Sequence, residues 1–366
     1  MSGVGYDDWS KLSSDLLRSI LESLTTKDFH RARSVCSSWY SVSKTCTRPL
    51  YPWRVLLRKS STLIFDPKQD ETFEIEHPGI DFSESGVIAS YSNWLLIIDS
   101  RIDLLYLLNV FTCERINLPS MGLSLLLAEA TFQAISACLW MNERTGEYAV
   151  ALSYMKHDLL FSYKKEDDTW RKHEGTRCRS MFYEKNKLYV LTCDDYVKIL
   201  DLSGDHLVNH ENVEGNPYRN HRFHFVSGEE HVWTKKIAVT NSGEVLIVLM
   251  SSKGLQGRKR LFYMFKMNFE SGKWERVYSV GGEMLMLGHG VTVRSPIKEI
   301  NSTDEGIKSD SICFIDDLWP SADYFNPRRQ INSGIFDPKR QIILITWPKT
   351  SDASVLKSIW FVPGYA

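Results

Sequence analysis

The first 50 residues carry apolar side chains at helical spacing. Within residues 16–24 these side chains recur at i, i+1, i+4, i+5 and i+8, which is typical of a helix with one apolar face. The positions are Leu16, Leu17, Ile20, Leu21 and Leu24. Ser13 or Ser14 can cap this helix by accepting a hydrogen bond from a free backbone N–H, and Thr25 or Thr26 can cap a second helix. A third apolar segment follows, so we predict three short helices that end by Pro49.

A helical module of this size has little interior in which to bury apolar side chains. About 45 residues in three short helices enclose too little apolar surface to be comfortably stable alone. The leucines and isoleucine of the first helix exceed what its two neighbours can hide. Some of these side chains should therefore face a partner protein or the rest of the chain, and the helical pattern leaves both alternatives open.

After residue 50 the helical spacing disappears. Short runs of β-branched, aromatic and other apolar residues follow one another, and Gly, Asn, Asp or Pro separates them. Examples are NWLLIIDS, KLYVLTCD and GEVLIVLMSS. Strands of about five to eight residues that end at turn-forming residues indicate an all-β domain.

One hairpin of this domain occurs twice. Residues 64–68 read IFDPK, and residues 335–339 repeat the same letters. Proline after aspartate fits the second position of a tight turn, because the proline ring already fixes the required φ. Trp170 and Trp274 likewise occupy equivalent places after a polar turn. These repeats predict a domain in which one structural unit is used several times.

The number of repeated units indicates a β-propeller. About six units at an average interval near 50 residues fit propeller blades of four strands each. A single blade cannot bury both of its faces, so the blades should stack around an axis. The last strand, SIWFVP at residues 358–363, is expected to close the ring by pairing with strands near residues 51–65. A pair of β-sandwich domains is the alternative.

Composition and charge narrow the class of protein. The 366 residues are 43% hydrophobic and 24% charged, as in ordinary globular proteins. A net charge of −1 provides no basic field for nucleic acid or an anionic membrane. No apolar stretch approaches the roughly 18 residues of a membrane span, and residues 1–9 lack the features of a signal peptide. We expect the protein in the cytoplasm, the nucleus or both.

The sequence predicts no catalytic residue, cofactor or metal site. Seven scattered cysteines never form a Cys-x-x-Cys pair, so neither a disulfide framework nor a zinc site is indicated. A phosphate-binding loop and a Gly-x-Ser-x-Gly nucleophile motif are both missing from the sequence. One group of histidines lies in a polar stretch without cysteine or carboxylate partners at ligand spacing, and we interpret it as solvated. Its members are His206, His210, His221, His224 and His231.

Residues 9 to about 46 combine the helical pattern with a particular order of side chains. Residues 9–42 read WSKLSSDLLRSILESLTTKDFHRARSVCSSWYSV and resemble the F-box. This resemblance implies a helical module that docks on a Skp-type adaptor of a cullin–RING ubiquitin ligase. It assigns an apolar set to adaptor contact or to the core of the module: Leu12, Leu16, Leu17, Ile20, Leu24, Val35, Cys36 and Trp39. Two positions depart from the family, since Ser13 stands where proline is usual and Tyr40 where arginine is common.

The β-rich part of the chain resembles a second known domain. The segments YPWRVLL, NWLLIID, LLNVFTCERINLP and IWFVP, in this order, are similar to a β-propeller domain that follows the F-box in a large plant family. That domain was first described as one of unknown function. The resemblance covers about residues 50–364 and implies a plant source and about six blades, but it names no substrate.

Together these features predict a three-helix F-box module at residues 1–50 and an all-β domain, a β-propeller of about six blades, at residues 51–366. The implied function is that of the substrate-recognition subunit of a Skp–cullin–F-box ubiquitin ligase. Such a subunit binds the adaptor, and through it a cullin, and presents an unidentified protein target without catalysing a reaction itself. Nucleic acid and membranes are not expected as partners. The sequence leaves three alternatives: a propeller enzyme, a non-ligase binding scaffold with a helical appendage, and a helical DNA-binding module fused to a propeller.

Overall fold

The computed structural model divides the chain into two compact units. The first lies within Met1–Leu50 and the second within Tyr51–Pro363. The residues described are 9–46, 53–66, 71–83, 85–99, 104–121, 135–142, 144–154, 158–203, 216–226, 230–253, 259–288, 292–296, 310–315, 333–347 and 357–361. In this part of the chain no helix has both the length and the apolar character needed to cross a membrane.

The first unit, called the helical unit below, contains one 3₁₀ turn and three α-helices. They are the turn Trp9–Lys11, α1 (Ser14–Ser23), α2 (Thr26–Arg33) and α3 (Ser37–Ser43). The side chain of Ser13 accepts a hydrogen bond from the backbone N–H of Leu16 at 3.4 Å. The side chain of Thr25 accepts one from the backbone N–H of Asp28 at 3.1 Å. These two hydroxyl groups cap α1 and α2, as the sequence indicated.

The three helices enclose a small core of their own. Its buried members are Leu17, Leu21, Phe29, Ala32, Val42 and Cys46, and Leu12, Leu24 and Trp39 pack partly against them. The helical unit thus hides one part of the apolar set predicted from the sequence. Of the remaining part, Leu16 and Val35 are exposed, and Ile20 and Cys36 are half-buried.

The second unit is a six-bladed β-propeller. Blade 1 contains β24 (Lys357–Phe361), β1 (Trp53–Leu57), β2 (Ser61–Asp66) and β3 (Glu71–Glu76). Blade 2 contains β4 (Ser85–Tyr91), β5 (Trp94–Asp99), β6 (Leu104–Asn109) and β7 (Arg115–Asn117). Blade 3 contains β8 (Ile135–Asn142), β9 (Glu147–Tyr154), β10 (Leu159–Lys164) and β11 (Arg171–His173).

The other three blades continue in chain order. Blade 4 contains β12 (Cys178–Glu184), β13 (Lys187–Thr192) and β14 (Val197–Asp201). Blade 5 contains β15 (Glu230–Val239), β16 (Val245–Lys253), β17 (Lys259–Asn268) and β18 (Lys273–Val277). Blade 6 contains β19 (Glu283–Leu287), β20 (Thr292–Pro296), β21 (Ile312–Ile315), β22 (Ser333–Asp337) and β23 (Ile342–Trp347).

The ring closes through the last strand of the chain. β24 pairs antiparallel with β1, and Ile359 lies opposite Val55. The first strands of blades 2 to 5 lie side by side, β4 with β8, β8 with β12 and β12 with β15. β24 contacts β4 on one side and β21 on the other. This arrangement confirms the predicted propeller and excludes the pair of β-sandwiches.

The hydrophobic core is divided among the spaces between blades. One cluster joins blades 2 and 3 and includes Leu96, Leu107, Leu139 and Val150. Comparable clusters lie between blades 1 and 2, 3 and 4, 4 and 5, and 5 and 6. Strands such as β5 are buried along their whole length, whereas the outer strand β3 alternates between exposed and half-buried residues. Burial on both faces explains why the inner strands are continuous apolar runs instead of alternating ones.

The predicted repeats occupy hairpins. In the first IFDPK copy, residues 64–66 end β2, which pairs with β3, and residues 67 and 68 lie outside the described residues. In the second copy, residues 335–337 end β22, and residues 338 and 339 lie in the turn that leads to β23. The indole of Trp170 donates to the carbonyl of Pro119 at 2.8 Å, and that of Trp274 donates to the carbonyl of His221 at 3.0 Å. Both tryptophans therefore fix a neighbouring segment to the outer edge of a blade. Blade 6 is less regular, because β19 pairs parallel with β21.

Candidate functional site

The helical unit exposes several large apolar side chains. Trp9, Leu16 and Val35, called the exposed apolar set below, are 62%, 60% and 62% exposed, and the ring of Tyr40 is also exposed. Nine large apolar residues are exposed in the described part of the chain, and four of these nine lie in the smaller, helical unit. Such a concentration on a small module is typical of a surface that contacts another protein.

Adjacent leucines of α1 have opposite environments. Leu16 points away from the core of the unit, whereas Leu17 is 1% exposed and packs among the buried residues of all three helices. Ile20 is half-buried and lies one turn after Leu16. The apolar stripe predicted from the sequence is therefore divided between the core of the unit and its surface. Leu17 has the core role that the F-box resemblance allowed, and Leu16 remains available for contact.

The connection between α2 and α3 exposes Val35. The backbone N–H of Val35 donates to the carbonyl of Ala32 at 3.1 Å, which tightens the end of α2. Cys36 then takes an extended conformation, and α3 begins at the next residue. The carbonyl of Cys36 accepts a hydrogen bond from the backbone N–H of Tyr40 at 3.0 Å. Cys36 itself is half-buried. This tight corner leaves Val35 62% exposed at the surface of the unit.

Three further predicted residues pack against the core of the helical unit. Trp39 is half-buried and packs partly against the helical core, and its indole donates to the carbonyl of Trp9 at 3.3 Å. Leu12 and Leu24 also pack partly against this core. Leu12, Leu24 and Trp39 thus support the module and leave only part of their surface exposed.

The two departures from the F-box pattern have local physical explanations. Ser13 has φ −61°, which is the value that a proline ring would impose, and its hydroxyl group caps α1. The ring of Tyr40 lies 4.2 Å from the Lys44 ammonium and 5.4 Å from the Arg33 guanidinium. Cation–π contacts with both groups hold the exposed ring in place. Neither substitution removes apolar surface from the unit.

The propeller has exposed aromatic side chains at its own surface. Tyr196, Phe269 and Tyr278 are among the large apolar residues exposed in the described part of the chain. The guanidinium of Arg276 lies 4.3 Å from the ring of Tyr263 and 4.8 Å from that of Tyr278. Aromatic rings and arginines of this kind often supply most of the binding energy of a protein interface.

The histidine group singled out in the sequence does not form a metal site where it is described. His231 lies edge-on to Trp233 at 4.2 Å, while His221 lies 6.3 Å from the ring of Phe269. His206 and His210 are outside the described residues. Among the residues that the structure describes, no three His, Cys, Asp or Glu side chains are placed to hold a metal.

Two other histidines connect strands inside blades. The ring of His77 contacts the Thr62 hydroxyl at 2.9 Å, and that of His173 contacts the Ser162 hydroxyl at 2.8 Å. Burial lowers the pKa of His77, and burial together with nearby Arg171 lowers the pKa of His173. Both imidazoles are therefore neutral near pH 7 and act as hydrogen-bonding links between a third and a fourth strand. No local pattern of residues predicts these pairs.

Comparison with known families matches both units. The F-box domain matches residues 9–50, and the KIB1-4 beta-propeller matches residues 64–337. The chain is 55% identical to putative F-box protein At2g33200 of Arabidopsis thaliana, with all of both chains covered. It is 41% identical to F-box only protein 7 of the same plant, over 98% of this chain and 95% of the relative. It is 35% identical to the Arabidopsis F-box/kelch-repeat protein KIB1, over 79% and 75%. The chain therefore belongs to the family of plant F-box proteins that carry a KIB1-4 β-propeller.

Proposed function

We propose that this protein is the substrate receptor of a Skp–cullin–F-box ubiquitin ligase. In this proposal a Skp-type adaptor, and through it a cullin, binds the helical unit, and the propeller binds a protein target. The observation that carries the proposal is the opposite burial of Leu16 and Leu17 in a unit that already has its own core. Apolar side chains that fold the module are hidden, and a second group of them is left for a partner.

Burial of the exposed apolar set supplies part of the free energy for adaptor binding. Covering apolar surface contributes about 25 cal/mol per Å². Trp9, Leu16 and Val35 each leave roughly 60% of their surface exposed. A partner that covers all three therefore gains several kcal/mol, and further contacts must supply the rest of the roughly 8 kcal/mol of a micromolar complex together with the entropic cost of association.

The receptor performs no bond chemistry in this proposal. Its contribution is to hold a target lysine close to the ubiquitin-charged conjugating enzyme, which converts a bimolecular encounter into a positioned one. The exposed aromatic rings of the propeller, such as Tyr278 beside Arg276, are suitable anchors for the target. We place the complex in the cytoplasm or nucleus, since ubiquitin ligases of this class act there.

Adaptor capture by matched surface variants tests the proposal. The first variant combines Leu16→Asp with Val35→Asp in the full chain. The control combines Val226→Asp with Ile342→Asp, which makes the same kind of change at exposed apolar residues of the propeller. All four side chains are exposed, so neither variant is expected to unfold its unit.

The result expected is specific to the helical unit. The wild-type chain and the propeller control capture a purified Skp-type adaptor, whereas the Leu16 and Val35 variant does not, because each aspartate brings a charge into an apolar contact. Equal capture by all three chains would contradict the proposal. Proximity labelling in plant cells with the Leu16 and Val35 variant then identifies the target, because that form keeps the propeller but does not deliver its target to the ligase.

A further inference from the structure

A cavity between blades 3 and 4 has the composition of a small-molecule site. Its volume is about 380 Å³, and it lies where the hairpin turns after β8, β10 and β12 meet. Three kinds of side chain line it: the aromatic rings of Trp140, Tyr148 and Tyr183, the cations Lys164, Lys165 and Lys185, and the polar Glu147, Glu166 and Asn186. Pockets that bind small ligands have volumes of roughly 300–1,000 Å³.

One wall of the cavity is aromatic. The rings of Trp140 and Tyr183 lie 5.5 Å apart, with a 46° angle between their planes. Burial raises the pKa of Tyr183 to about 12, and burial together with Tyr163 raises that of Tyr148 to about 12. Both phenols therefore stay neutral at physiological pH. This wall offers flat apolar surfaces against which a planar ring can stack.

Three lysines give the lining of the cavity a net positive charge. None of Lys164, Lys165 and Lys185 forms an ion pair anywhere in the described part of the chain. The cavity also contains two carboxylates, and the one on Glu147 accepts a hydrogen bond from the Thr145 hydroxyl at 2.9 Å. Three ammonium groups against two carboxylates leave a net positive charge. An anion can form ion pairs with these lysines.

The turn between β12 and β13 fixes two of the polar groups. Lys185 and Asn186 have φ of 50° and 61°, so both residues of this tight turn are left-handed. The hydroxyl group of Tyr183 donates to Asn186 Oδ1 at 2.8 Å. This hydrogen bond occupies the amide oxygen and leaves the N–H donors of the same amide for a ligand. The turn thus places a cation and a neutral donor in the lining of the cavity.

We propose that this cavity binds a small ligand that carries both a flat ring and an anionic group, of about the size of a mononucleotide. The ring lies against Trp140 and Tyr183, and the phosphate or carboxylate is held by the three lysines. The proposal is independent of the ubiquitin-ligase proposal, because every residue involved lies in blades 3 and 4. A ligand at this position would bridge two blades and stabilise the propeller against local separation.

Four probes and two matched variants test the cavity. Adenosine 5′-monophosphate and phenyl phosphate carry a ring and an anion, adenosine carries only the ring, and inorganic phosphate carries only the anion. Binding to the full chain is measured by saturation-transfer NMR and calorimetry. Lys185→Ala removes a cavity cation, and Lys187→Ala removes an exposed lysine two residues away that does not line the cavity.

We expect at least one of the two ring-bearing phosphates to bind more tightly than adenosine and inorganic phosphate, by about tenfold. Lys185→Ala is expected to weaken it by about tenfold, and Lys187→Ala to leave it unchanged. Trp140→Phe is expected to weaken it less than Lys185→Ala, because a ring remains. The proposal is overturned if neither ring-bearing phosphate binds saturably, if adenosine binds as tightly as its phosphate, or if both lysine variants have equal effects. The thermal unfolding midpoint of each variant verifies that the propeller is intact.

Discussion

Replacing Leu16 or Leu17 by alanine should separate binding from folding at adjacent positions. Leu17 is 1% exposed and packs with Leu21 and Phe29, so Leu17→Ala leaves a cavity in the core of the helical unit. Such substitutions typically cost about 2–5 kcal/mol. In a unit of three short helices, this loss is large enough to unfold much of the module. Leu16 is 60% exposed, so Leu16→Ala should change stability by no more than about 0.5 kcal/mol.

The effect of Leu16→Ala on binding follows from the surface it leaves uncovered. Complete burial of a leucine side chain contributes about 1.5–3 kcal/mol. An adaptor that covers the exposed 60% of Leu16 gains about 1–2 kcal/mol from it. Alanine keeps the β-carbon and retains part of this gain. We therefore expect the affinity for the adaptor to fall by about five- to tenfold.

Two measurements on the full chain distinguish the two effects. Hydrogen exchange followed by mass spectrometry reports the protection of peptides within residues 9–46, and titration with a Skp-type adaptor reports affinity. Leu16→Ala should keep wild-type protection and bind more weakly, whereas Leu17→Ala should lose protection. A Leu16→Ala chain that loses protection to the same extent, or that binds the adaptor as tightly as the wild type, would refute the assignment of Leu16 to the contact surface.

Three further predictions concern the propeller. The pKa values of His77 and His173 lie below those in the unfolded chain, so the free energy of unfolding should fall as the pH drops below about 6.5. In urea titrations, His77→Gln should reduce this pH dependence. Burial lowers the pKa of Lys236 to about 8. Between pH 8 and 10 the free energy of unfolding of the wild type should therefore rise relative to that of Lys236→Met. A difference between the two chains that does not change with pH would contradict this prediction. Ile359 is buried on the closing strand, so Ile359→Ala should cost about 2–5 kcal/mol, and an unchanged urea midpoint would show that β24 does not seal the ring.

The features that sequence predicted correctly depend on local chemistry. The caps at Ser13 and Thr25 follow from the preference of hydroxyl side chains for helix N-termini, and the hairpins follow from turn-forming residues between apolar runs. The closing strand was predictable because a propeller needs a seal and one apolar run remained at the end. These features require only short segments and their periodicity.

The features that sequence could not predict depend on tertiary packing. Leu16 and Leu17 belong to the same apolar stripe, and only the positions of α2 and α3 decide which of them is covered. The parallel pairing of β19 with β21 breaks the hairpin pattern and has no turn signal. The cavity between blades 3 and 4 combines residues from three separate hairpins, so no short sequence motif predicts it.

Coverage of the exposed apolar set by an adaptor can be measured directly as a heat-capacity change. Calorimetric titration of the full chain with a purified Skp-type adaptor at several temperatures gives this quantity, whose negative sign marks burial of apolar surface. We predict one-to-one binding with a negative heat-capacity change that becomes smaller in magnitude when Leu16 and Val35 are both replaced by alanine. Binding with no heat-capacity change, or with one that the double replacement leaves unaltered, would contradict the central claim.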